Sequence, residues 1–233
     1  MKVFYIIIPF FIVMFSMSYC AKSCNYFPTQ KGSYWIRATY NAKTDRIIHY
    51  EIEEITSVKD KGQTLQLTVS STYYNPKTKT TITRTYFVKC SKGNLAINMR
   101  AFVSFEYLGN DESELEISSV DMLVSSSLSS GQKLEDANIT IKYPANKMPA
   151  SNTPVYSVTH NNRRVRKTET TTTPAGTFEC VVIDSDVNIT TLKNMPSKTA
   201  FWFAPDKGIV RTENYDQSGR IQTYSVLRYF TVK

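Results

Sequence analysis

The chain has 233 residues, 41% of them hydrophobic and 21% charged, with only 8 glycines and 9 prolines. That balance excludes a disordered or low-complexity protein and is enough for a full apolar core. The formal charge of +8 becomes +7 (8 − 1) if Lys2 leaves with a leader, which in an exported protein points to anionic surfaces and not to a nucleic-acid partner.

The N-terminus has the parts of a secretory signal peptide: Lys2, an apolar run from Val3 to Phe15, then small residues at Ser16 and Ser18. The expected leader is 1–20, with cleavage after Cys20 or after Ser18. Its apolar run is too short to predict a membrane span, so the mature chain is expected in the periplasm or at the outer membrane or cell surface. Acylation of Cys20 as a lipoprotein is the alternative, and the bulk of Tyr19 just before it argues against that. Residues 21–233 read as a single β-rich domain, because no linker interrupts them.

Export decides how the cysteines are read, since thiols outside the cytosol tend to pair. With Cys20 removed, Cys24, Cys90 and Cys180 remain. Cys90 ends a strand and Cys24 lies in a segment that gains from a tether, so the expected disulfide is Cys24 with Cys90. Closing a loop of that length stabilises by about 4 kcal/mol, less any strain. Cys180 is left as a small buried hydrophobe.

The abundance of Thr, Tyr, Ile and Val suits strands better than helices. After the breakers Pro28 and Gly32, a first strand carries Tyr34, Ile36, Ala38 and Tyr40 on one face, and a second has Ile48, Tyr50 and Ile52 inward. The third alternates most cleanly, with Leu65, Leu67, Val69 and Tyr73 opposed to Gln66, Thr68, Ser70 and Thr72. A fourth, with Ile82, Tyr86 and Val88 inward, ends at Cys90 and returns through SKGN to Leu95 and Ile97. Four hairpins in succession predict a meander.

Near 99–108 the period-2 pattern fails, and Phe102, Phe105, Tyr107 and Leu108 fit a short helix or irregular cap as well as a strand. Strands are predicted again at Leu115 to Ile117, around Met122 to Val124, and at Ile139, Ile141 and Tyr143. The Pro-rich loop at 144–154 joins this run to a second one with the same hairpin grammar. There VYSVTH leads to a turn at Asn161-Asn162, and a strand runs to the Pro174-Ala175-Gly176 corner. The next strand, with Phe178, Cys180 and Val182 on one face and Val181 and Ile183 on the other, reads as central and buried on both sides. KNMPSK is read as a loop, followed by FWFAP, IVRTENYD and a terminal strand, IQTYSVLRYFTV, tied into the sheet.

No nucleophile elbow, phosphate loop, dinucleotide fingerprint or zincin motif occurs. His49 and His160, the two histidines present, lie in strands without metal-ligand spacing. Cys180 between Phe178 and Val182 reads as inert. Asp111, Glu112, Glu114 and Glu116 form a solvated acidic loop, and Asp184 with Asp186 lacks a third partner. The chain therefore reads as a non-enzyme with no catalytic, metal or cofactor residues assigned. In the basic run 163–167, Arg163, Arg164, Arg166 and Lys167 are the candidate contacts to an anionic surface, on the end of a hairpin.

Several motifs fall together: C-N-Y-F-P-x-x-x-G, V-K-C-S-K-G-N, S-S-G-Q-K-L-E-D-A-N-I, T-T-P-A-G-T-F-E-C-V-V-I and W-F-A-P-D-K-G-I-V-R-T-E-N-Y-D-Q-S-G-R. The chain resembles the small exported β-rich Bacteroidetes proteins grouped as TapB-like, which have no established catalytic residues. That resemblance implies an all-β, mainly antiparallel sheet curled into a half-barrel, similar to the carriers that ferry lipoproteins across the periplasm. The expected architecture is a curled meander of about 10–12 strands with at most one or two short helices. The Pro-rich loop 144–154 and the pair Arg163 and Arg164 depart from the usual pattern.

Two functions follow. With 15 Tyr and 12 Phe, an open concave face would hold a hydrophobic small molecule or lipid-like ligand. Alternatively, strand edges and the basic hairpin would meet an envelope protein partner or an anionic surface.

Overall fold

The computed structural model describes residues 24–103, 115–142, 155–191 and 194–232. A first meander comprises β1 (Tyr34–Asn41), β2 (Arg46–Lys61), β3 (Thr64–Asn75), β4 (Thr80–Ser91) and β5 (Asn94–Ile97). Three short strands follow: β6 (Glu116–Val120), β7 (Met122–Val124) and β8 (Ala137–Lys142). A second meander comprises β9 (Val155–Thr173), β10 (Gly176–Thr190), β11 (Asn194–Ala204), β12 (Gly208–Tyr215) and β13 (Ile221–Thr231). All thirteen pair antiparallel in one sheet, in the order β6-β8-β9-β10-β11-β12-β13-β1-β2-β3-β4-β5-β7. The expected all-β fold is borne out. As expected, the terminal strand is tied in: β13 lies between β12 and β1 and fuses the two meanders.

The two edges of this sheet, β6 and β7, are neighbours in the chain, separated by Asp121 alone. A flat sheet of thirteen strands spans roughly 60 Å at the usual strand spacing, so its edges meet only if it curls. β-Bulges supply the bend. Register slips occur between Ile36 and Arg37, Thr39 and Tyr40, Ile55 and Ser57, Trp202 and Phe203, and twice along β10 against β9. The result is a nearly closed, barrel-like sheet.

One of those slips replaces an expected turn. β9 runs unbroken through Asn161 and Asn162, and the chain does not reverse there. Asn162 takes a positive φ of 51°, which asparagine tolerates better than most residues, and its Nδ2 donates to Asp186 Oδ2 at 2.8 Å. KNMPSK also differs, because Asn194 onward is strand and Pro196 sits opposite Asn188. β12 reaches β11 only as far as Lys198, so position 196 has no strand on that side and the missing N–H costs nothing there.

An N-terminal segment and a hairpin corner close and back the sheet. Cys24 is joined to Cys90 by a disulfide with Cα atoms 5.2 Å apart. Asn25 N donates to Gly93 O at 3.3 Å, and Asp206 N donates to Asn25 O at 3.0 Å. Residues 24–27 thus cross one end of the barrel, from the β4–β5 turn to the β11–β12 turn, and Phe27 rests edge-on against Trp35 at 5.4 Å. Gly93, at φ +79°, has no room for a side chain, since a Cβ there would lie 2.9 Å from Ser126 Cβ. On the outside, β10 pairs with β11 only from Val181 onward. The overhanging Pro-Ala-Gly corner reaches β13, where Ala175 N donates to Leu227 O at 3.3 Å. Cys180, Val181, Val182 and Ile183 are all buried, as expected of a strand covered on both faces.

Met99–Phe102 is a 3-10 turn capped by Asn98, whose Oδ1 accepts from Arg100 N at 3.2 Å. Phe105, Tyr107, Leu108, the acidic residues Asp111, Glu112 and Glu114, the Pro-rich loop 144–154, Tyr143, Cys20 and the leader lie outside the described residues.

Where the two sheet edges approach, Arg163 holds them. It is 1% exposed, so it cannot contact an anionic surface. Its Nη1 donates to Glu135 O at 2.5 Å and its Nη2 to Leu123 O in β7 at 2.8 Å. Segment 131–134 runs alongside β9, with Leu134 N donating to Arg163 O at 2.9 Å and Val165 N to Gln132 O at 2.9 Å. Burial brings the guanidinium pKa down to about 10, opposed by Asp136 and Glu135, so it stays charged at neutral pH. Replacing Arg163 by Met strands two carbonyls and is expected to cost about 3 kcal/mol. Urea unfolding measures the loss, and amide exchange should rise first at the seam strand β7.

Candidate functional site

The concave face encloses a cavity of about 610 Å³. Its wall of β9 to β11 is mainly apolar: Tyr156, Val158, Val187, Ile189 and Phe201, with Phe102 from the 3-10 turn, line it together with His160, Ser197 and Thr199. The wall of β1 to β4 is not. There the register sets Trp35 opposite Glu53 and Arg37 opposite Glu51, with Thr39 opposite His49. In the second strand this places Tyr50 and Ile52, expected inward, on the outer face, while Ile48 lines the cavity as expected. Tyr34, Ile36, Ala38 and Tyr40, with Tyr50 and Ile52, lie on the outer face, where Tyr34 meets Tyr229 and Tyr50 stacks on Tyr74. The inward sets of β3 and β4 are as expected, except that Ser71 and Arg84 join them as buried polar residues.

Charges tolerate burial when paired and hydrogen-bonded, and these are. Glu53, 3% exposed, accepts from Trp35 Nε1 at 2.5 Å, from Tyr86 Oη at 2.8 Å and from Arg37 Nη2. Arg37 also reaches Glu51 Oε2 through Nε at 3.3 Å and Nη2 at 3.1 Å. Burial by itself would lower the Arg37 pKa, but Glu53 and Glu51 outweigh it and raise the value above the ordinary one. Burial likewise pushes Glu51 up, and Arg37, His49 and Arg84 together hold it below the usual carboxylate range. The Tyr86 phenol is raised well above 10 by burial and by Glu53. Arg84 Nη1 donates to Val103 O at 2.5 Å and Nη2 to Ala101 O at 3.2 Å, which fastens the 3-10 turn to this wall.

Both histidines face this interior. His49 sits 4.7 Å from the Tyr73 ring, and burial lowers its pKa, with Arg37 adding to the effect and Glu51 opposing it. His160 lies 5.7 Å from Phe102 and 5.8 Å from Phe201, with Nδ1 3.0 Å from Ser185 Oγ. Burial, then Arg163, brings its pKa to about 3. Both rings are neutral at pH 7.

The other sequence candidates do not assemble into a site. Cys180 pairs with Glu169 and His160 with Val187, so the thiol and imidazole stand seven residues apart along β10, roughly 20 Å. Burial pushes the Cys180 thiol up to about 11. Asp184 is bound to Arg166 at 3.3 Å and Asp186 to Asn162. Glu116 meets Lys142 at 3.6 Å. No group of three or more His, Cys, Asp or Glu among the described residues is placed to hold a metal. Of the basic run, Arg164, Arg166 and Lys167 are all exposed, with Arg166 5.4 Å from the Trp202 ring and Lys167 reaching Glu169 at 2.5 Å.

Fold and interior together define a barrel-like antiparallel β-protein whose cavity has one mainly apolar wall and one that carries buried charge. A family model described as DUF3108-like matches residues 30–227, and the chain belongs to that family. Two crystal structures share the fold. One is a Bacteroides fragilis protein with a YmcC-like fold, designated as exported, at 22% identity and a TM-score of 0.75, covering 90% of this chain and 100% of that one. The other, designated a lipoprotein, is from Parabacteroides distasonis, at 21% identity and a TM-score of 0.74 with the same coverage. No curated protein sequence matches the chain.

The His160 imidazole makes stability pH-dependent in a defined window. Its folded pKa of about 3 lies below the ordinary 6.5, so the unfolded chain binds the proton first. The stability is fully present above pH 6.5 and is lost as the pH falls toward 3. Between pH 7 and pH 5 this one group is expected to cost about 2 kcal/mol. Urea unfolding of His160→Gln over the same range should show a correspondingly flatter dependence.

Proposed function

We propose that the chain is an exported, non-enzymatic binding protein, with a signal peptide at 1–20 and one β-rich domain at 21–233. It holds a hydrophobic or lipid-like ligand in the concave face of the curled sheet. The observation that carries this reading is the cavity of about 610 Å³, a size usual for small-molecule sites, with apolar side chains gathered on one wall. The resemblance of its motifs to TapB-like proteins, and of such sheets to lipoprotein carriers, supports the same reading. So do the two crystal structures, one designated exported and the other a lipoprotein.

The alternative, an envelope interaction protein using the basic run, has less behind it. Arg163 is interior, and Arg166 and Lys167 are paired with Asp184 and Glu169.

Native mass spectrometry of the protein exported by its own leader and purified without detergent tests the proposal. Extra mass that disappears on denaturation is the expected result, together with a chain two hydrogens lighter than the fully reduced one. A bare chain that also fails to take up the uncharged apolar dye Nile red would overturn the binding role.

A further inference from the structure

The polar half of the cavity has a chemical character of its own. Across five adjacent strands the register sets Phe201 opposite Thr212, Thr212 opposite Ser225, Ser225 opposite Thr39, and Thr39 opposite His49. All five residues line the cavity. Three hydroxyls therefore stand side by side on β12, β13 and β1, flanked by a phenyl ring and a neutral imidazole. At the usual strand spacing the three span roughly 10 Å. None of them makes a side-chain hydrogen bond among the described residues, whereas one step toward the hairpin ends the polar groups are satisfied internally. There Thr199 Oγ1 donates to Asn214 Oδ1 at 2.8 Å, and Asn214 Nδ2 donates to Thr223 Oγ1 at 3.0 Å.

The charges in the cavity are either paired with one another or distant from the three hydroxyls. Arg37 and Lys207 balance Glu51 and Glu53 among the lining residues. The Arg37 guanidinium is spent on both carboxylates, and the Lys207 ammonium lies 4.4 Å over the Phe230 ring. Lys207 also precedes Thr212 by five residues, roughly 16 Å along the strand. An anionic head seated among the hydroxyls would be desolvated with no unpaired cation beside it, at a cost of several kcal/mol. A hydroxyl-bearing head meets groups that each donate once and accept twice.

Resting on the binding role proposed above, we infer that the cavity takes an amphiphile whose head is uncharged and carries several hydroxyls, an acylglycerol or a glycolipid, with its chain against Phe102, Tyr156, Val158, Ile189 and Phe201. A fatty-acid anion of the same chain length is discriminated against. Thr39, Ser225 and Thr212 are the specificity-determining residues.

The test is displacement of Nile red from the mature protein at pH 8 by three ligands with matched twelve-carbon chains: monododecanoylglycerol, dodecyl glucoside and dodecanoate. At least one uncharged ligand is expected to displace the dye at a concentration ten or more times lower than dodecanoate, and the better of the two identifies the glycerol or sugar source. A variant carrying Thr39→Val, Ser225→Ala and Thr212→Val keeps the apolar wall. It should bind Nile red and dodecanoate as before while losing about tenfold in affinity for the uncharged ligand. Dodecanoate binding as tightly as the others, or a preference that survives in the variant, overturns the inference and leaves the binding role standing. Absence of Nile red uptake together with absence of binding by all three overturns both.

Discussion

A sheet whose two edge strands are joined by a single residue has to close on itself, and Asp121 between β6 and β7 imposes that constraint here. Backbone pairing alone does not complete the closure, because β7 is three residues long and β5 only four. Arg163 completes it from inside, where its guanidinium serves carbonyls of both approaching segments. The charge is retained at a burial that lowers its pKa, which is tolerable because both donors find acceptors in a region closed to water. Once the edges meet, one face of every strand looks into a common interior, and the nature of that interior follows from which residues the bulges turn inward.

Apart from Arg163 at the seam and Lys207 in the β11–β12 turn, the interior gathers its charge on the wall of β1 to β4. A buried ion pair stabilises less than its Coulomb attraction suggests, since both partners lose water, and an apolar substitute of equal volume is often as stable. The cluster of Arg37, Glu51, Glu53, Trp35 and Tyr86 is thus poorly explained as a stabilising device. It makes better sense as a rigid polar wall, with each donor and acceptor assigned, facing an apolar wall across a cavity. The N-terminal segment, tethered through Cys24 and seated against Trp35 by Phe27, shuts one end of the same space. On the proposed binding role, a cavity crossed at one end and lined by two chemically different walls would orient an amphiphile as well as hold it.

The fold survives wide sequence change. Two proteins at 22% and 21% identity superimpose over 90% of this chain. The outer surface offers a reason, since much of it is held by locally specified devices: hairpins with a glycine or Asx turn, and ring pairs such as Tyr40 on Tyr224 at 5.0 Å. The Arg211 guanidinium lies 5.6 Å from Trp202 and 5.5 Å from Tyr224, linking β11 to β13 across β12. Such contacts need residue types more than particular neighbours, so the architecture tolerates drift that a ligand site would not.

The sequence by itself determined the strand content, the positions of nearly all hairpins, the double-sided burial of the strand after Pro174-Ala175-Gly176, and the inward faces of β3 and β4. Each rests on local chemistry: alternation with period two, and turns that need glycine, asparagine or proline. The Cys24 partner followed from compartment and position. Tertiary structure alone decided which face of β1 and β2 is interior, because Arg37, Glu51 and Glu53 look like solvent-facing residues until the register sets them against one another. It alone turned Asn161-Asn162 from a reversal into a bulge and drew Arg163 out of a basic surface run into the seam. Charge and turn potential are local properties, but whether a charge finds a partner, or a positive φ ends a strand, depends on chain segments tens of residues away.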